Sequence, residues 1–161
     1  MDFSAIFSNF PPSVAVVLIS MLPIAELRVA IPIAIGVYGL TIPSAYFLSV
    51  IGNIIPAIFL LWFFGPAAGF LMARFNRAKV FFEWLFDRTR KKFSGKYARW
   101  GELALVIFVA IPLPITGVWT GSLAAFLFGI SKKKSLVLIS LGAAIAGIIV
   151  TLATVGIISL F

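Results

Sequence analysis

The chain has no cysteine, no histidine and only five acidic residues in 161. Without cysteine there is no disulfide and no thiol nucleophile, and without either residue there is no Cys/His metal site. Without histidine the chain lacks the one side chain that ordinarily titrates near neutral pH and serves as a general base. No catalytic residues, no metal and no cofactor are therefore expected, and the chain does not read as an enzyme. Charge is also scarce. Charged residues make up 11% of the chain against 62% hydrophobic, with a mean hydropathy of +1.16, whereas a soluble domain is about a quarter charged. What polar residue remains cannot cover a water-facing surface. The sequence reads as an all-α integral membrane protein, one domain with about four embedded segments.

What charge there is carries one sign, for a net +8. Nine of the thirteen cations (Arg74, Arg77, Lys79, Arg88, Arg90, Lys91, Lys92, Lys96, Arg99) lie in one central stretch, and three more form Lys132-Lys133-Lys134. Cations clustered between apolar segments fix topology and meet lipid headgroups, so membrane lipids, and not nucleic acid, are the expected partners. The N-terminus, Met1-Asp2-Phe3-Ser4, has no positive region before its apolar run and does not read as a cleaved signal peptide.

Apolar sequence runs from about 14 to 73, from 103 to 130 and from 136 to 161. If both basic clusters lie on the cytoplasmic side, segment 103–130 must enter the membrane and return. It is too short for two spans of about 20 residues each, and Ile111-Pro112-Leu113-Pro114-Ile115-Thr116-Gly117 breaks any helix at its middle. A re-entrant hairpin results, followed by a transmembrane helix. The first half repeats this plan upside down. A break is expected over Pro23 to Pro32, then a long helix from Ser44 interrupted at Pro56 and Gly65-Pro66. A shift of 90 aligns Tyr38-Gly39-Leu40-Thr41 with Phe128-Gly129-Ile130-Ser131, and Gly52 with Gly142; Pro23 and Pro112 fall one residue out of that register. The expected architecture is an inverted repeat of re-entrant helical hairpin plus transmembrane helix, a common plan of secondary transporters. Repeat 1 covers about 10–73, a basic cytoplasmic amphipathic linker about 74–102 and repeat 2 about 103–161, with both termini outside. In the linker, Phe82, Leu85, Phe86 and Phe93 fall near one helical face, which suits a helix lying at the membrane interface or a plain connector.

The residues singled out lie at the two breaks. Glu26 and Arg28 are ionisable groups inside an apolar run, which costs about 2.5–3.5 kcal/mol unless they are paired or hydrated. Two positions apart on a helix they would diverge by about 200°; on broken backbone they can share a cavity. Glu26 can exchange a proton, and Arg28 can bind an anion or neutralise Glu26; a purely structural pair at the tip remains open. Pro32, Pro112, Pro114, Thr116, Gly117 and Trp119 complete the candidate substrate-binding or proton-coupling set, with Thr116 equivalent to Glu26 under the shift. Asn53 reads as a helix–helix contact, Glu102 as a first-turn carboxylate, and Gly142, Ala143, Ala144, Ala146 and Gly147 as a close-packing face or the contact of a homodimer.

Glu26-Leu27-Arg28-Val29-Ala30-Ile31-Pro32 and Ile111-Pro112-Leu113-Pro114-Ile115-Thr116-Gly117-Val118-Trp119-Thr120-Gly121 resemble the two signatures of the prokaryotic small multi-drug export family. That family is in turn similar to the DedA superfamily of re-entrant membrane proteins implicated in lipid translocation. The resemblance implies a multi-pass protein of the prokaryotic plasma membrane and matches Glu26 to the acidic residue of the first DedA motif. The arginines of the second DedA motif have no counterpart around Pro112, so Arg28 would have to supply the cation from the opposite hairpin. The main functional expectation is a transporter or flippase of an amphiphilic or lipid-linked anion, such as a polyprenyl phosphate, coupled to protons through Glu26. The alternatives are a proton-coupled exporter of small lipophilic compounds and a non-transporting membrane scaffold.

Overall fold

The structure is a computed structural model that describes residues 7, 9–100, 102–113 and 116–160, with side chains for all of these except 89, 90 and 92–100. Met1 to Ser4, Pro114 and Ile115, all used in the sequence reading, lie outside the described residues. Seven helices and no strands are present among those described: α1 Pro12–Met21, α2 Glu26–Gly36, α3 Ile42–Arg74, α4 Asn76–Trp100, α5 Leu103–Ala110, α6 Val118–Leu127 and α7 Lys132–Ile158. The order short, short, long occurs twice, with α4 between the two occurrences. Among the described residues, α3 and α7 alone are long and apolar enough to cross a membrane.

Local chemistry accounts for the helix ends. Proline disfavours helical backbone in the residue before it, and both short leading helices stop at such a residue. Leu22, before Pro23, is extended at ψ 135, and Ile111, before Pro112, at ψ 115. The second short helix of each set is followed within three residues by a left-handed glycine, Gly39 at φ 63 and Gly129 at φ 67, a conformation that favours a residue without Cβ. These glycines stand 90 positions apart, as the alignment had paired them.

Two expectations about breaks are corrected. The first break covers only 22–25, because α2 begins at Glu26 and runs through Pro32. The long helix α3 is not interrupted, and Pro56 and Pro66 lie inside it. A proline inside a packed helix frees one carbonyl and displaces the turn before it, and neighbouring helices supply the packing that keeps such a helix continuous.

Packing follows the double pattern. α1 lies on α3, α5 on α7, and the two long helices on each other, while α6 lies on α3 and α2 on α7. Gly52 lets α1 approach, since a Cβ there would sit 2.6 Å from the Val17 carbonyl oxygen. Gly142 does the same for α5, at 2.9 Å from the Val106 oxygen. Gly147 meets Tyr46 and Val50 of α3, so the small-residue face of α7 is occupied within the chain. Leu27, Ile31, Leu105, Val109, Val118 and Ile139 form the larger core, and Val16, Ile19, Ala30, Ala34 and Ala45 a second one. Outward, α3 and α7 expose Phe47, Phe59, Phe63, Phe70, Val137, Leu141 and Leu152, an apolar surface suited to lipid.

The inner face of α4 differs from an interfacial reading of Phe82 and Phe86. Both rings pack on Phe64 of α3, with centroids 5.8 and 6.4 Å away, and Phe86 also meets Phe126 of α6 at 6.0 Å. Aromatic burial against the bundle turns this face inward, and Phe93 lies outside the described side chains. Glu102 precedes α5 and pairs with Lys134 at 2.5 Å, joining the starts of α5 and α7.

Candidate functional site

The two breaks meet. Glu26 opens α2 with φ 49, a left-handed conformation rare for a residue with Cβ. Regular helical geometry therefore does not apply between Glu26 and Arg28, and the two side chains converge instead of diverging. Glu26 Oε2 lies 3.5 Å from an Arg28 terminal nitrogen, with Glu26 only 4% exposed. Both charges are thus neutralised locally, as burial in an apolar setting requires.

Each member of the pair also serves the other hairpin. The Glu26 carboxylate accepts hydrogen bonds from the backbone N–H groups of Val118 and Trp119, the free donors at the start of α6. The guanidinium of Arg28 donates through one nitrogen to the Leu113 carbonyl and through the other to the Thr116 carbonyl. The second nitrogen is also 3.2 Å from Thr116 Oγ1. A break in an apolar chain leaves carbonyls and amides without partners; here one residue pair supplies acceptors and donors for the opposite break.

Thr116 ties that break to itself. Its hydroxyl accepts from the Leu113 amide at 3.1 Å and donates to the carbonyl of Leu113 at 2.6 Å or of Ile111 at 2.8 Å. Gly117, at φ 131, forms the seat of the carboxylate: a Cβ would stand 2.1 Å from Glu26 Oε2. The structure thus brings together Glu26, Arg28, Thr116, Gly117 and Trp119. Pro32 sits half-buried inside α2, six residues beyond the start of the helix, and Pro112 stands half-buried in the second break. Asn53 is buried on α3, with its Oδ1 lacking a partner among the described residues.

Beside the joined tips lies a cleft of about 370 Å³. Its walls are Pro56, Phe59, Leu60, Phe63, Phe64 and Ala67 of α3, with Met21 and Trp119 closing one end. Trp119 Nε1 donates to the Met21 carbonyl at 3.2 Å, so the indole bridges the end of α1 and the start of α6. The same residue thus lines the cleft with its ring and meets Glu26 with its amide. The volume falls in the range of small-molecule pockets, about 300–1,000 Å³. The α3 wall escaped sequence reasoning, although positions 56, 60, 63 and 67 form one helical stripe. Leu113, Met21 and Val118 escaped it because they act through backbone atoms.

Two apolar helices of membrane-crossing length, four short helices broken in pairs and a buried ion pair where the breaks meet are features of a helical membrane protein. The family model described as "Putative small multi-drug export protein" matches residues 26–149, and the chain belongs to that family. No curated protein and no solved structure matches the chain.

Proposed function

We propose that the chain exports small lipophilic compounds and holds them in the apolar cleft beside Trp119. The observation that carries this reading is the cleft itself: an aromatic and aliphatic wall of drug-sized volume, ending at a residue bonded to the buried carboxylate. Membership of the export family supports it. While Glu26 is ionised it compensates the charge of Arg28, so a cationic compound is not repelled in that state. Glu26 does not line the cleft itself; it stands behind Trp119, faced by Arg28 and the α6 amides, and takes the proton that couples export to a pH gradient. The protein acts as a transporter and not as an enzyme.

The membrane arrangement belongs to the same proposal. Helices α1, α2, α5 and α6, at 1.5 Å per residue, are each about 12–17 Å long, half the ~30 Å hydrocarbon layer. α3 and α7 exceed that layer. Two hairpins entering from opposite faces would meet tip to tip, as these do, which supports an inverted repeat with re-entrant hairpins.

A lipid-linked anion fits less well. That reading rests on the DedA likeness of the motifs and needs Arg28 for the headgroup, whereas Arg28 already holds the Leu113 and Thr116 carbonyls. Proteoliposome flux separates the two. Tetraphenylphosphonium is expected to be carried in exchange for protons moving down an imposed pH gradient, with Ala67→Trp, which fills the cleft, lowering the rate at least about tenfold. Equal flux through Ala67→Trp, or flux of a short polyprenyl phosphate without flux of the cation, would overturn the proposal.

A further inference from the structure

Helix α4 divides its aromatic residues between two faces. Phe82 and Phe86 fasten it to α3 and α6, as described, and are partly buried there. The opposite face stays uncovered: Val80 is 61% exposed, Phe81 54% and Trp84 52%. Positions 77, 80, 81, 84, 88 and 91 recur at helical spacing, so Arg77, Arg88 and Lys91 lie along the same stripe. These three cations are exposed as well. The Phe81 and Trp84 rings lie 6.1 Å apart, and the Arg88 guanidinium covers the Trp84 ring at 5.2 Å. Glu83 and Asp87 flank this stripe. They are the only acids in a stretch with nine cations.

We infer that this stripe is a docking surface for an anionic lipid headgroup layer, with Phe81 and Trp84 at the acyl boundary. Two observations select that partner. The first is complementarity: aromatic rings alternating with cations match a surface that is apolar beneath and negative above. The second is continuity. α4 leaves the end of α3, where Phe70, Leu71 and Phe75 are exposed outside the cleft, so the stripe follows an apolar surface already suited to lipid. The side of α4 that meets lipid is therefore opposite to the side carrying Phe82 and Phe86. This surface is independent of the transported compound.

The absence of cysteine in the chain makes a single introduced one a clean reporter. The full chain carrying Phe81→Cys, labelled with bimane, is reconstituted in vesicles of equal phosphatidylcholine and phosphatidylglycerol, and Lys79→Cys, exposed but off the stripe, serves as the control. Quenching is compared between doxyl-phosphatidylglycerol, doxyl-phosphatidylcholine and aqueous iodide. At position 81 the anionic quencher is expected to act at least about twofold more strongly than the zwitterionic one, with iodide weak. Adding Arg77→Gln, Arg88→Gln and Lys91→Gln should equalise the two lipids, with the variant still eluting as the parent does in detergent. Equal quenching by both lipids in the parent sequence, quenching by iodide alone, or shielding from all three, which would mean that another protein copy covers the stripe, each overturns the inference.

Discussion

Glu26 and Arg28 illustrate how far single residues can be read. Two charges in an apolar run announce themselves, because an unpaired charge at membrane depth is costly. What they touch does not, since Leu113, Thr116, Val118 and Trp119 offer mainly backbone atoms that any residue would carry. Gly117 is the sharpest dependency at this scale. Its positive φ and the 2.1 Å approach of a Cβ to Glu26 Oε2 exclude any side chain. Gly117→Ala should destabilise the protein by about 1–3 kcal/mol. Gly36→Ala, with nothing within 4 Å of its Cβ, is the matched control. Thermal unfolding of the two variants in detergent checks this: a lowered midpoint is expected for Gly117→Ala and none for Gly36→Ala. Arg28 also resists conservative change, because a lysine has no fork to reach two carbonyls at once.

At the scale of elements, proline has opposite effects at different sites. Pro23 and Pro112 end helices, because the residue before each is driven to extended backbone with no neighbouring turn to hold it. Pro56 ends nothing, because it is buried where neighbouring helices pack on α3; Pro66 is exposed and lies inside α3 all the same. Sequence punctuation alone cannot separate these cases, which is why the interruption expected at 56 and 65–66 did not appear. The paired glycines did carry information. Gly52 and Gly142 are equivalent under the shift of 90, and each admits the first short helix of its own half. Gly52→Ala and Gly142→Ala should each cost about 1–3 kcal/mol by overpacking against backbone and valine atoms. Gly69→Ala on α3 has nothing within 4 Å and should cost little. Chemical or thermal unfolding series on the three variants would show whether the two helix–helix approaches are as tight as the geometry states.

For the whole molecule the central consequence concerns orientation. If the hairpins enter from opposite sides, the loop after α2 and the end of α7 share one face, while the loop between α6 and α7 shares the other with α4. Thr41, Ser131 and Ser159 are exposed, so each accepts a cysteine without disturbing the core. In sealed cells a membrane-impermeant maleimide should label Thr41→Cys and Ser159→Cys, and label Ser131→Cys only after permeabilisation. Labelling of Thr41→Cys and Ser131→Cys from the same side would contradict the inverted arrangement. The Glu102–Lys134 bridge adds little to the stability of this frame, since both side chains are more than a third exposed.

The sequence by itself determined the membrane class, the two breaks and the candidate pair, because apolar content, proline and isolated charge are local properties. Only the tertiary structure decided that Arg28 holds carbonyls 85 and 88 residues away. It also decided which face of α4 turns inward and where α3 leaves a cleft against Trp119. Those features depend on which backbone atoms and aromatic faces meet across the fold, and neither composition nor spacing along the chain encodes that directly.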